Sequence, residues 1–177
     1  MLTIRRRLSF PFNSDLEVMR QQTNLLTMLQ ENHATTDPGL AIGSADAADI
    51  LVANTVAYVR GGERRADKST AEVAVTADAA MPDDGTARNV VVLVCLNPSD
   101  AFVTVAGPVI NEGGDPQYPD VPNGFVLLGS VLIEAAAGTA FVPGATLLSA
   151  AGITDTYTDL LRPTWKLAQL LDINSRD

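Results

Sequence analysis

Apolar residues occupy even positions through the first thirteen residues: Leu2, Ile4, Leu8, Phe10 and Phe12. A period of two predicts an extended arm with one apolar face, and Pro11 disfavours helix there. Arg5, Arg6 and Arg7 make the arm basic. It suits two uses equally, a strand added to a partner's sheet or a strand of its own domain. The period then lengthens. Ser14-Asp15-Leu16-Glu17 has the form of a capping box, in which serine and glutamate satisfy each other's free backbone donors. It opens a helix predicted to run through about Glu31, with Leu16, Met19, Leu26 and Leu29 on one side and Val18, Leu25 and Met28 widening the stripe. Leu16, Met19, Thr23 and Leu26 also fit the a/d spacing of two heptads, so the helix can pack on the chain's own sheet or about an oligomer axis.

Beyond Thr35-Thr36-Asp37-Pro38-Gly39, a linker or tight turn by composition, the pattern becomes that of strands. They are predicted near 50–60, 71–77, 88–96, 101–106, 124–134 and 153–159. Glu72-Val73-Ala74-Val75-Thr76 alternates over a half-buried face. Val90 to Leu96 is continuously apolar, which marks a central strand buried on both faces. Gly61-Gly62 and Pro82-Asp83-Asp84-Gly85 read as turns, and Asn97-Pro98-Ser99-Asp100 joins two apolar strands into a hairpin over 88–106. The long loop 107–123 holds four of the ten prolines, which predicts defined structure. After Arg162-Pro163-Thr164-Trp165, Leu167, Leu170 and Leu171 recur at helical spacing, predicting a short helix that stops near Asp172. Trp165 reads as a core or interface anchor. The predicted organisation is an N-terminal arm and helix over 1–37, a β domain over 38–161 and a C-terminal helix over 162–177. The fold class is mainly β, an antiparallel sandwich or barrel of jelly-roll type.

Composition narrows the function classes. The chain of 177 residues is 46% hydrophobic and 19% charged, apolar enough to bury a core. A net charge of −9 argues against nucleic acid as a partner unless Arg5, Arg6 and Arg7 act alone, and 5% aromatics leave little for base stacking. No apolar run approaches the ~20 residues that span a bilayer. Leu8 to Asn13 is too short and interrupted for a signal h-region, which predicts a chain made and used without export. Cys95, the single cysteine, reads as a small core hydrophobe, and His33, the single histidine, as a solvent-facing helix terminus.

The candidate chemistry is thin. The acidic loop Asn111-Glu112-Gly113-Gly114-Asp115-Pro116 with Asp120 lacks the spacing of an EF-hand and reads as a solvated loop. Glu63, Arg64, Arg65, Asp67 and Lys68 read as a polar hairpin end, or in a functional version as a contact surface whose charges set register. Asp83-Asp84 falls in a turn, and Asp155 and Asp159 have no neighbouring histidine. No nucleophile elbow, phosphate-binding glycine loop or zinc ligand set occurs, so the expectation is a non-enzyme without metal or cofactor.

Residues 50–160 resemble β-rich virion structural proteins of tailed bacteriophages, the capsid decoration (cement) and head-fibre types. The resemblance rests on Thr55-Val56-Ala57-Tyr58-Val59-Arg60-Gly61-Gly62 and on Asp84-Gly85-Thr86-Ala87-Arg88 leading into Asn89-Val90-Val91-Val92-Leu93-Val94. It continues through Phe102 to Gly107, Val121 to Val131, Phe141 to Leu148 and Ala151 to Tyr157. It implies a domain that assembles on the outer surface of a capsid put together in the host cytoplasm, and that performs no reaction. The implied partners are the major capsid protein and further copies of itself, most simply as a trimer over capsomer junctions. Arg5, Arg6, Arg7, Phe10, Phe12, Leu16, Met19, Leu26 and Trp165 would then carry capsid or self contacts. A tail, baseplate or fibre component is the alternative within this class. A receptor- or carbohydrate-binding module is the alternative outside it, and would need an aromatic platform from Tyr118, Phe125, Tyr157 and Trp165.

Overall fold

A computed structural model describes residues 32–45, 47–111 and 113–159. The arm, both predicted helices and the residues Arg5 to Leu26 and Trp165 lie outside the described residues. Within them the protein is mainly β, built of antiparallel strands with a single 3-10 turn at Ala77–Ala79. Three sheets form. The first joins β1 (Asn32–Ala34), β4 (Tyr58–Arg60) and β5 (Glu63–Arg64). The second joins β2 (Leu40–Ile42), β3 (Asp49–Val52) and β6 (Ala71–Ala74). The largest has the order β11-β10-β7-β8, from β7 (Arg88–Leu96), β8 (Phe102–Ala106), β10 (Val126–Ala135) and β11 (Ile153–Asp159); β9 (Ile110–Asn111) also pairs with β7.

The apolar run of β7 explains its central place. Val90, Val92, Val94 and Leu96 enter the main core together with Val131 and Ile133 of β10, Ile50 and Val52 of β3 and Tyr58 of β4. Val91, Leu93 and Cys95 point the other way, into a second cluster with Val103, Val105, Val121, Phe125, Leu127 and Leu132. Every residue from Val90 to Leu96 is 0–2% exposed. Burial from both sides pushes the Cys95 thiol up to about 12, as befits an inert core residue. The loop 107–123 contributes Val121 to that cover, and it lies so close to Gly107 that a Cβ there would sit 2.4 Å from the Gln117 carbonyl oxygen.

The second sheet meets the largest at both of its edges without a backbone ladder. On one side Thr104 of β8 donates through Oγ1 to the Ala74 carbonyl (2.9 Å) and accepts from the Thr76 N–H (2.9 Å). On the other, the Leu40 N–H donates to Asp159 Oδ1 (2.8 Å) across 119 residues. Gly129 permits this approach. It follows a shift in the β7–β10 register between Leu127 and Gly129, and an added Cβ would lie 2.5 Å from both Leu40 Cδ1 and the Thr158 carbonyl oxygen. Gly129→Ala is expected to destabilise the protein by about 1–3 kcal/mol, since the backbone oxygen cannot step aside, and a urea melt measures it. An unchanged midpoint would show that β2 does not seat on β10 in this way.

The predicted strands recur, one of them divided. The stretch 50–60 is two strands in different sheets. After β3 the chain turns, with the Asn54 N–H on the Pro38 carbonyl (3.0 Å), and crosses to β4 by way of a bridge between Val56 and Lys68. The hairpin over 88–106 forms as expected, and the 153–159 strand matches at both ends. His33 corrects the expectation of a solvent-facing helix terminus. It stands in β1 opposite Val59 and is 9% exposed, because β1 pairs with β4 and lies against β10. Strand pairing is therefore already present at Asn32, upstream of the Thr35–Gly39 segment. That segment is a turn held by Asp37, whose Oδ1 accepts from the Gly39 N–H (2.9 Å).

Candidate interaction surfaces

Two features stand at opposite ends of β7, and the sequence builds each from simple parts. At the Leu96 end, β4 and β5 form a two-residue hairpin through Gly61 (φ 60°) and Gly62 (φ 77°), the left-handed pair that matches strand twist. Arg60, the last residue of β4, turns inward. Its guanidinium donates to the carbonyls of Leu96 (3.3 Å), Asn97 (2.5 Å) and Pro98 (3.1 Å) and pairs with the Asp100 carboxylate. It also lies over the Tyr58 ring, 5.5 Å from the centroid. The hairpin is thereby fastened to the β7–β8 turn, where Asp100 takes the left-handed conformation (φ 61°).

The Tyr58 hydroxyl and the Arg60 guanidinium hold the Asp100 carboxyl below the usual carboxylate range, against an upward push from burial. The sign follows. Stability from Asp100 is fully present above the unfolded value near ~3.9 and is lost as pH falls through the lower folded value. Asp100→Asn keeps a residue that tolerates the left-handed backbone but removes the charge. Its stability should lie below that of the parent at neutral pH, and the gap should close below about pH 4. Melts from pH 7 to 3 check this, and a gap independent of pH would contradict it. Asp159 works in the opposite direction. Burial and the neighbouring Asp37 raise its carboxyl, so the fold favours its protonated form.

Beyond Arg60 the hairpin carries exposed charge. Arg64 pairs with Asp67 at 3.2 Å and Arg65 with Glu63 at 4.0 Å, with arginine side chains 72% and 46% exposed. Pairs so open to water hold little energy and re-pair easily. Between residues 32 and 159 there are five Lys and Arg, and Arg60, Arg64, Arg65 and Lys68 are four of them. The same span holds sixteen Asp and Glu. The β domain is thus acidic, with four of its five cations gathered at this hairpin beside Glu63 and Asp67.

At the Arg88 end of β7 lies a cleft of about 410 Å³. Strand register sets its floor: Asn89 of β7 pairs with Glu134 of β10, which pairs with Thr154 of β11, so three polar side chains stand in a row on one face. Gly113, Gly114 and Pro116 of the acidic loop form one wall. Asn89 is 8% exposed; its Nδ2 reaches the Gly114 carbonyl at 3.5 Å, and its Oδ1 is buried without a hydrogen-bond partner among the described residues. Arg88, also in the lining, is neutralised by Asp84. Sequence pattern alone does not reveal this row. Period-two alternation places Asn89, Glu134 and Thr154 each on a face, but only the register shows that the faces coincide.

Other sequence candidates disperse. Phe125 packs on the second cluster and Tyr157 on the main core, on opposite faces of the largest sheet, while Tyr118 is 66% exposed. These three aromatics form no common platform. No group of three His, Cys, Asp or Glu converges among the described residues, and no helix there is long and apolar enough to cross a membrane. No protein-family description, curated protein or solved structure matches this chain.

Proposed function

We propose that this protein is a structural component of a virion, a capsid decoration protein that binds the major capsid protein and stabilises the shell at capsomer junctions. The observation that supports it best is the double anchorage of the β domain. One sheet is tied at both edges, at Thr104 and at Asp159, while the Arg60 clamp fastens the hairpin to the β7–β8 turn. In this reading the edge-to-edge contacts close a jelly-roll-like sandwich. Rigid loops and segregated charge are then surfaces for assembly. The predicted arm with Arg5, Arg6, Arg7, Phe10 and Phe12, and the predicted helix with Leu16, Met19 and Leu26, anchor the domain, and each added contact is intramolecular once the first has formed. Trp165 supplies a further capsid or self contact, and the domain associates as a trimer.

Co-sedimentation of the purified full-length chain with shells stripped of it tests this reading. Binding should saturate at a fixed ratio to the major shell protein. Arg5→Glu, Arg6→Glu and Arg7→Glu together with Phe10→Ala and Phe12→Ala should abolish it without changing the fold. A parent chain that stays in the supernatant would overturn the proposal.

A further inference from the structure

We infer that the Asn89–Glu134–Thr154 cleft receives an arginine side chain from the β4–β5 hairpin of a second copy, so that copies join pole to pole. The inference rests on the self-association proposed above and specifies the surfaces that carry it. The cleft offers acceptors in the Glu134 carboxylate and the Thr154 hydroxyl, and Asn89 in its lining holds a buried Oδ1 without a hydrogen-bond partner among the described residues. A buried acceptor without a partner is costly, and a donor entering the cleft relieves that cost. The carboxylate selects a cation among donors, and a planar guanidinium can engage a carboxylate and an amide oxygen together. Among the described residues no aromatic side chain lines the cleft, so they give it no stacking surface for a sugar ring or a base. Its volume falls in the range of clefts that enclose small ligand groups.

The charge distribution identifies the occupant. Arg64 and Arg65 are the most exposed cations of the β domain, and their surface pairs hold them weakly. They cannot fill their own cleft. The hairpin is fastened at the Leu96 end of β7 and the cleft lies at the Arg88 end, eight residues away, or roughly 27 Å at the rise of a strand. A second copy brings the two together. Such a contact joins unlike surfaces, so repetition gives a closed ring or an open filament, and a ring of three is the closed form that a trimer needs.

Sedimentation velocity of the full-length chain over a range of concentration and salt tests the inference. The parent should self-associate, more weakly as salt rises. Glu134→Lys, and separately Arg64→Glu with Arg65→Glu, should each weaken association about tenfold or more. Mixing the two variants should restore pairwise association, as alternating dimers and chains in place of closed rings of three, because each reversed pole then meets its complement and the unchanged poles also meet. Restoration in the mixture also shows that both variants are folded. A parent that is monomeric throughout, variants that associate like the parent, or a mixture that fails while circular dichroism shows both variants folded, would each overturn it. Co-sedimentation of the same variants with shells separates the two proposals. Variants that bind shells as the parent does, in a protein whose self-association is unaffected by them, locate the failure in this contact and leave the shell role standing.

Discussion

Phe141→Ala should remove about 3–5 kcal/mol of unfolding free energy, the loss expected when a large buried aromatic is emptied. Phe141 is 0% exposed and stands in the connection between β10 and β11, outside the sheets. Its backbone exchanges hydrogen bonds with Met81, both of 2.9 Å, and Met81 is itself 1% exposed. The ring thus fixes two loops to the core at one point. Nearby, Leu148 is fully buried and its N–H reaches the Ala47 carbonyl at 2.8 Å, so the connection cannot close over the vacated space without breaking its own bonds. Urea denaturation measures the effect. A loss under about 1 kcal/mol would mean that the loop collapses freely and that Phe141 is not a keystone of the core.

Arg60→Met should cost about 2–3 kcal/mol, although methionine fills most of the same volume. The loss is one of partners and not of packing. The Leu96, Asn97 and Pro98 carbonyls and the Asp100 carboxylate all lose a charged donor, and the arginine side chain that supplies it is only 11% exposed. Asp100, at 38% exposed, recovers some hydration, which keeps the figure below that of a fully buried pair. The damage should be local. Amide exchange should quicken at Asp100 and Ala101, whose N–H groups are bound within the turn, and stay slow in Val90 to Val94. Uniform acceleration along β7 would show that Arg60 supports the whole sheet.

What was legible in the sequence is what a local period can encode. Val90 to Leu96 declared a strand covered on both faces, and the two clusters that share its alternate residues bear that out. The Asn97–Asp100 turn declared its hairpin through proline and an asparagine that bonds its own turn, accepting from the Ser99 and Ala101 N–H groups. The failures have a common cause. His33 follows a long helical period, and nothing local says that the chain has already joined a sheet, because its partner Val59 is 26 positions away. The stretch 50–60 is apolar apart from Asn54, Thr55 and Arg60, and the separate pairing of β3 with β6 and β4 with β1 divides it. The cleft is the extreme case: Asn89, Glu134 and Thr154 are unremarkable singly and become a site through two registers. Arg60 belongs to the same group, since its bonds span 36 to 40 residues.

The central claim is that this protein coats a shell, and its copy number in purified source particles tests that most directly. Quantitative mass spectrometry against the major shell protein should give a ratio near one, or a simple fraction of it. A handful of copies per particle, or none, would contradict the decoration role.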